Sequence, residues 1–129
     1  MSNENDPLAW VERAEEDYAM TQSALRRKKP LTSAACFHAQ QCAEKYLKAL
    51  LVAGGHPFSK THDLLVLNDE CTRAGILLSF SEDDLSILLS YAVRVRYPGE
   101  NPTPEEAREA LTIARSVRRL ARKFIGVER

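Results

Sequence analysis

Three histidines, His38, His56 and His62, are the side chains of this 129-residue chain that ordinarily titrate close to neutral pH. His62 is the best candidate for proton transfer. It stands in Thr61-His62-Asp63-Leu64, at the start of a helix, where Asp63 can orient the ring. The same residues also read as a local helix cap with a neighbouring carboxylate. His38 falls on an apolar helix and reads as a satisfied core or interface residue, and His56 precedes Pro57 in a loop with no evident role. Cations that can hold phosphate occur in three places. Arg94 and Arg96 precede Tyr97-Pro98, Arg26-Arg27-Lys28-Lys29 precedes Pro30, and Arg115, Arg118, Arg119, Arg122 and Lys123 share one region of the last helix. The last two clusters are also suited to the negative end of a helix dipole, so each has a structural reading beside the phosphate-binding one.

A fourth group is Gln40, Gln41, Glu44 and Lys48, placed beside apolar positions of one helix rather than opposite them. Burial there would require a partner for each polar atom, so the group is either a structural network or part of a site. The familiar catalytic motifs are missing. There is no Gly-rich phosphate loop, Gly-x-Ser-x-Gly elbow or His-Glu-x-x-His sequence. Cys36, Cys42 and Cys71 form an odd count without a Cys-x-x-Cys, and two of them lie on the apolar helix, which points to buried thiols rather than to a metal or redox site. No metal and no cofactor is expected.

The elements that position these residues are helices. Ala34 to Ala53 contains no Gly or Pro and repeats apolar residues at Cys36, Ala39, Ala43, Tyr46, Leu47 and Leu50, with Phe37 and Leu51 widening the stripe. This is the central helix. Before it, Asp6-Pro7 starts a first helix, with Leu8, Val11, Ala14, Tyr18 and Leu25 inward, closed by Pro30. Thr32 or Ser33 is the expected cap of helix two, and Gly54-Gly55 the expected left-handed end. Thr61 is the expected cap of a third helix ending near Gly75, with Leu64, Leu67 and Cys71 buried. Ser81 caps a fourth, which Pro98 stops at Tyr97. Thr103-Pro104-Glu105-Glu106 is a full capping-box start for a fifth helix that runs to about Ile125. No stretch alternates with a period of two over strand length. The expected fold is all-α, a single domain over residues 1–129 built as an antiparallel bundle of about five helices with two long central ones.

Composition narrows the function classes. Eighteen basic and eighteen acidic residues cancel, so the global basic excess of a nonspecific nucleic-acid binder is absent and any such binding must be local. The first residues lack the basic and apolar regions of a secretory signal, and no apolar run is long enough to span a bilayer, which together imply a cytoplasmic location.

The combination of Phe37-His-Ala-Gln-Gln-Cys-Ala-Glu44-Lys45-Tyr-Leu-Lys48, Thr61-His62-Asp63-Leu64 and Arg96-Tyr97-Pro98, in this order and spacing, resembles the HEPN family (higher eukaryotes and prokaryotes nucleotide-binding domain). That resemblance implies a helical bundle that commonly forms homodimers. In prokaryotes it also implies a minimal nucleotidyltransferase as partner in a toxin–antitoxin-like module. Many members are metal-independent ribonucleases with an Arg-x(4 to 6)-His motif near the end of the fourth helix. Here the histidine positions counted from Arg96 are Asn101, Pro102 and Thr103, and those counted from Arg94 are Gly99, Glu100 and Asn101. Asn and Thr cannot replace imidazole in accepting and returning a proton near neutral pH.

The resemblance therefore carries over a phosphate-contact role for Arg94 and Arg96 and a stacking role for Tyr97. His62, Asp63, Glu44 and Lys48 complete the candidate nucleotide- or phosphate-binding set. Three readings follow. The first is a HEPN interaction protein that dimerises and binds a nucleotidyltransferase, nucleotide or RNA. The second is a ribonuclease whose acid/base residue is displaced to His62, and the third is a structural helical adaptor. If Arg96 contacts phosphate, Arg96→Ala should weaken RNA binding and flatten its salt dependence in a filter-binding titration, and unchanged binding would remove Arg96 from the site.

Overall fold

A computed structural model describes residues 3–76, 80–95 and 97–127. It contains five helices in chain order, α1 (Pro7–Arg26), α2 (Thr32–Ala53), α3 (Leu64–Arg73), α4 (Glu82–Arg94) and α5 (Pro104–Ile125). The expected all-α bundle is what forms. α2 lies at its centre, touching each of the other four helices and packing most extensively on α1 and α5. The cross-helix bonds fix the directions. Thr21 meets Ala35, Asp17 meets His38 and Glu15 meets Tyr46, so α1 descends as α2 ascends. Tyr18 meets Arg115 and Glu15 meets Arg118, which makes α5 antiparallel to α1 as well.

The core is aliphatic and small-residue rich. Ala39, Ala43, Tyr46, Leu47, Leu50 and Leu51 of α2 are fully buried against Ala14 of α1, Leu64 and Leu67 of α3, Leu85 and Leu88 of α4, and Ala110, Ala114, Val117 and Ala121 of α5. The alanine stripe on α5 lets that helix approach α2 closely. All three cysteines are buried and unpaired. Burial first, with a nearby carboxylate second, pushes the Cys36 and Cys71 thiols up to about 12, which keeps them protonated and unreactive.

Local starts and stops depart from the sequence reading at several points. Asp6, Ser81 and Thr103 cap α1, α4 and α5 as expected, and Glu106 closes the capping box of α5. Leu31, rather than Thr32 or Ser33, occupies the cap position of α2, because the Leu31 carbonyl already accepts the Ala35 amide at 2.9 Å and Thr32 is helical. Asp63, rather than Thr61, caps α3. Its carboxylate accepts the amides of Leu65 and Val66, while the Thr61 hydroxyl accepts the Asp63 amide. Gly55 is left-handed at φ 75°, but Gly54 is not. α4 stops at Arg94, three residues short of Tyr97.

Two expected apolar stripe residues, Leu8 and Phe124, are 53% and 50% exposed. Phe37 of α2 is also exposed.

Two carboxylates are held ionised by these contacts. Hydrogen bonding to the Arg94 guanidinium, and then to the Thr103 amide, holds Glu106 at about 2. Burial alone would raise Glu15, but the hydrogen bonds from Arg118 and Tyr46 and the charges of Arg118 and Arg122 outweigh it and leave the group below its ordinary value. A depressed carboxylate contributes stability that is complete above its unfolded value of 4.5 and is lost as pH falls through the folded value. The urea midpoint should therefore fall between pH of about 5 and about 2.5, and fall less in Glu106→Gln, which has no such proton to gain. Equal slopes in the two proteins would mean that the Arg94 pair makes no net contribution.

Candidate functional site

The polar group on α2 is assembled by the loop that leads into α3. Gln40, Glu44 and Lys48 follow one another at four-residue steps, one above the other on α2. Glu44 is 2% exposed and Lys48 7%. One Glu44 oxygen accepts Lys48 Nζ at 3.0 Å, and the other accepts His62 Nδ1 at 3.0 Å and Gln40 Nε2 at 3.5 Å. Gln40 Nε2 also donates to the His62 carbonyl at 3.1 Å, and Gln41 Nε2 donates to Gln40 Oε1 at 2.8 Å. Every buried charge in the cluster has its partner. Lys48 Nζ further lies 5.4 Å and 5.6 Å from the ring centres of Trp10 and Phe58, which pack edge to face.

His62 is consequently oriented by Glu44, and not by Asp63, whose carboxylate is engaged in capping α3. Because an ionised carboxylate only accepts hydrogen bonds, the shared proton lies on Nδ1, which leaves Nε2 to face outward. The side chain is 80% exposed. This is the arrangement of a histidine fixed at one nitrogen and available at the other.

Beside it runs an open groove of about 970 Å³. Ser33, Ala34, Phe37, His38, Gln40 and Gln41 of α2 form its floor, Leu89, Ala92 and Val93 of α4 with the following Val95 form one wall, and His62 and Asp63 close one end. His38 is a second histidine anchored on a carboxylate, with Nδ1 2.7 Å from Asp17 Oδ1, and Lys45 Nζ holds the other Asp17 oxygen at 2.6 Å. The sequence reading missed Asp17. Its signal was present, since Ala14, Asp17, Thr21 and Ala24 form one buried helical stripe in which an acid demands partners.

Arg94 is paired within the fold. Arg94 does not meet Glu44 or Asp63. Its guanidinium grips Glu106 bidentately at 2.9 and 3.3 Å, because the α4–α5 turn brings the capping-box acid directly opposite it. Tyr97 is 62% exposed, with its amide bonded to the Arg94 carbonyl. Arg96 lies outside the described residues. Three cations of the basic region of α5 are engaged within the fold, while Arg119 and Lys123 are exposed. Arg118 grips Glu15 at 2.7 and 2.9 Å over the Tyr18 ring, Arg115 donates to the Tyr18 hydroxyl, and Arg122 reaches Tyr46 at 3.4 Å and Glu15 at 3.7 Å. Tyr46 also donates to Glu15. Among the described residues no cluster of His, Cys, Asp and Glu could hold a metal ion, and no helix is long and apolar enough to cross a membrane.

The chain belongs to the HEPN family: the HEPN domain model matches residues 8–124. Among solved structures, the crystal structure of TT1696 from Thermus thermophilus is similar, at 29% identity and a TM-score of 0.74. The match covers 93% of this chain and 98% of that one. No curated protein matches the chain.

The Glu44–Lys48 pair gives a direct test of whether the cluster holds the fold together. Removing one member of a buried ion pair leaves an uncompensated charge, so Lys48→Met should lower unfolding free energy by about 3 kcal/mol. Urea titration should show the double variant Lys48→Met, Glu44→Gln recovering most of that loss. A neutral single variant would show that Glu44 is satisfied by His62 and Gln40 alone.

Proposed function

We propose that this chain is a HEPN interaction protein that dimerises and partners a minimal nucleotidyltransferase in a toxin–antitoxin-like module, with nucleotide or RNA as its ligand. Membership of the family supports the partnership, as does the resemblance of helices two to four, which in prokaryotes implies such an enzyme as partner. The observation that carries the non-enzymatic reading is the state of Arg94. Its guanidinium is engaged by Glu106, which also accepts the Thr103 amide at 2.9 Å, so the arginine best placed for phosphate serves the α4–α5 turn. In addition, no histidine follows His62 to complete the ribonuclease motif. Gln40, Gln41, His62 and Asp63 then form the polar end of a binding groove, while Glu44 and Lys48 support it from behind.

A second reading, a metal-independent ribonuclease using His62, is favoured by one specific feature. Glu44 holds Nδ1 and leaves Nε2 exposed, the geometry needed to accept the 2′-hydroxyl proton of RNA. Two measurements separate the readings. Co-expression with a minimal nucleotidyltransferase encoded beside this gene should yield a complex of defined stoichiometry on gel filtration, and separate elution would count against the partnership. Purified chain incubated with RNA and chelator should leave the RNA intact. Cleavage that disappears in His62→Ala would replace the first reading with the second.

A further inference from the structure

Arg26, Arg27, Lys28 and Lys29 lie where α1 gives way to α2, and all four are exposed. None of these side chains takes part in an ion pair or hydrogen bond among the described residues. Dipole compensation accounts for only part of the cluster. α1 ends at Arg26 with Arg27 at its cap, and the pull of a helix C-terminus fades beyond its last turn, so Lys28 and Lys29 gain little from it. They stand instead just before Thr32, at the start of α2, where the helix dipole is positive and the first turn contains no acid. The turn does not disperse these charges, since the Leu31 amide bonds the Ala24 carbonyl at 3.1 Å and closes it. Four like charges held side by side in an unfavourable field lower stability unless an anion joins them. This sets the cluster apart from the cations of α5 that meet Glu15.

The turn leads into the groove. Ser33 and Ala34, shortly after Lys29, are the first residues of its floor, which continues along α2 to Gln41, about 12 Å of helix. Along that length the described lining holds no Lys or Arg. It offers the Phe37 ring, 44% exposed, and the amide of Gln41. We infer that the α1–α2 turn is a docking site for the phosphate backbone of single-stranded RNA whose bases lie along the groove, an inference that rests on the RNA ligand proposed above. One strand carries both chemistries. Its bases have flat faces that stack on an aromatic ring, and its backbone is a regular row of anions that unpaired Arg and Lys neutralise with release of counterions. Only a single strand exposes base faces to Phe37, since those of a duplex are stacked within it. A free mononucleotide cannot occupy the floor around Gln41 and reach the turn beyond Ser33 at once. The balanced net charge of the chain is no obstacle, because the unpaired positive charge is concentrated at this turn.

The test is fluorescence-anisotropy titration of the full chain with a labelled single-stranded RNA of about 12 nucleotides over a range of salt concentrations. The variant Arg26→Gln, Arg27→Gln, Lys28→Gln, Lys29→Gln should flatten the slope of log affinity against log salt by about 3 and weaken binding roughly a hundredfold at low salt. Phe37→Ala should weaken binding roughly tenfold at an unchanged slope. Arg119→Gln, Lys123→Gln, which removes exposed cations of α5, should leave both affinity and slope as they are. AMP should displace the strand only at a concentration roughly a hundredfold above that of unlabelled RNA. Circular dichroism should show unchanged helicity, and Lys28→Gln, Lys29→Gln, outside both helices, should give about half the change in slope if the full variant does not fold. A wild-type slope in the turn variants, or AMP that competes as well as RNA or binds where RNA does not, would overturn the inference and leave the ligand reading standing. No binding of RNA or AMP by the wild type would overturn both. A turn variant that keeps its RNA affinity but no longer co-elutes with the nucleotidyltransferase would reassign the turn to an acidic protein surface.

Discussion

Helix α2 packs against four other helices, and any charge it buries must find its partner within the bundle, because an unpaired buried ion costs several kcal/mol. The three charges on α2 obey this. Lys45 reaches across to Asp17 of α1, and Glu44 and Lys48 pair with each other one turn apart. The remaining Glu44 oxygen draws in His62 from the loop before α3. That loop is therefore positioned by an electrostatic requirement of the central helix. Trp10 and Phe58 close over the Lys48 ammonium and tie the start of α1 to the same loop. The candidate site and the stabilising network are in this respect one set of contacts.

The arginines follow the same logic at the two ends of α5. Near its start, Arg94 grips Glu106 and holds α4 to the capping box. Toward its end, Arg118 and Arg122 converge on Glu15 and Tyr46 and join α5 to α1 and α2. Guanidinium groups suit this work because their planar fork meets a carboxylate with two hydrogen bonds at once. Of the cations that resemble a phosphate-binding stripe in one dimension, Arg115, Arg118 and Arg122 line a helix junction in three, while Arg119 and Lys123 stay exposed. The network leaves one imperfection, the buried Arg122 Nε, which has no partner among the described residues.

Much of the fold was legible in local chemistry. Asp6-Pro7, Ser81 and Thr103-Pro104-Glu105-Glu106 each mark a helix start through the hydrogen-bonding capacity of the first turn, and every apolar stripe position named on α2 is buried except Phe37, although the stripe did not include the buried Cys42 and Ala49. The cap of α3 was read two residues early. Thr61 and Asp63 both have side chains able to cap, and the choice between them depends on the path of the loop over Glu44. Asp17 was readable in principle as an acid on a buried stripe, but its partners, His38 and Lys45, lie 21 and 28 residues away.

The sequence by itself determined the helical elements, the family to which they belong, and the lack of a histidine after His62, because propensity, capping and motif spacing are short-range properties. Only the tertiary structure decided which carboxylate each cation meets. Arg94 had Glu44, Asp63 and Glu106 as chemically equivalent partners, and the turn between α4 and α5 selects Glu106. His62 had Asp63 beside it in the chain, yet the capping demand of α3 takes that acid and leaves Glu44, eighteen residues earlier, to hold the ring. Charge pairing depends on distances of a few ångströms, and those distances are set by how the helices pack rather than by how the residues are strung together.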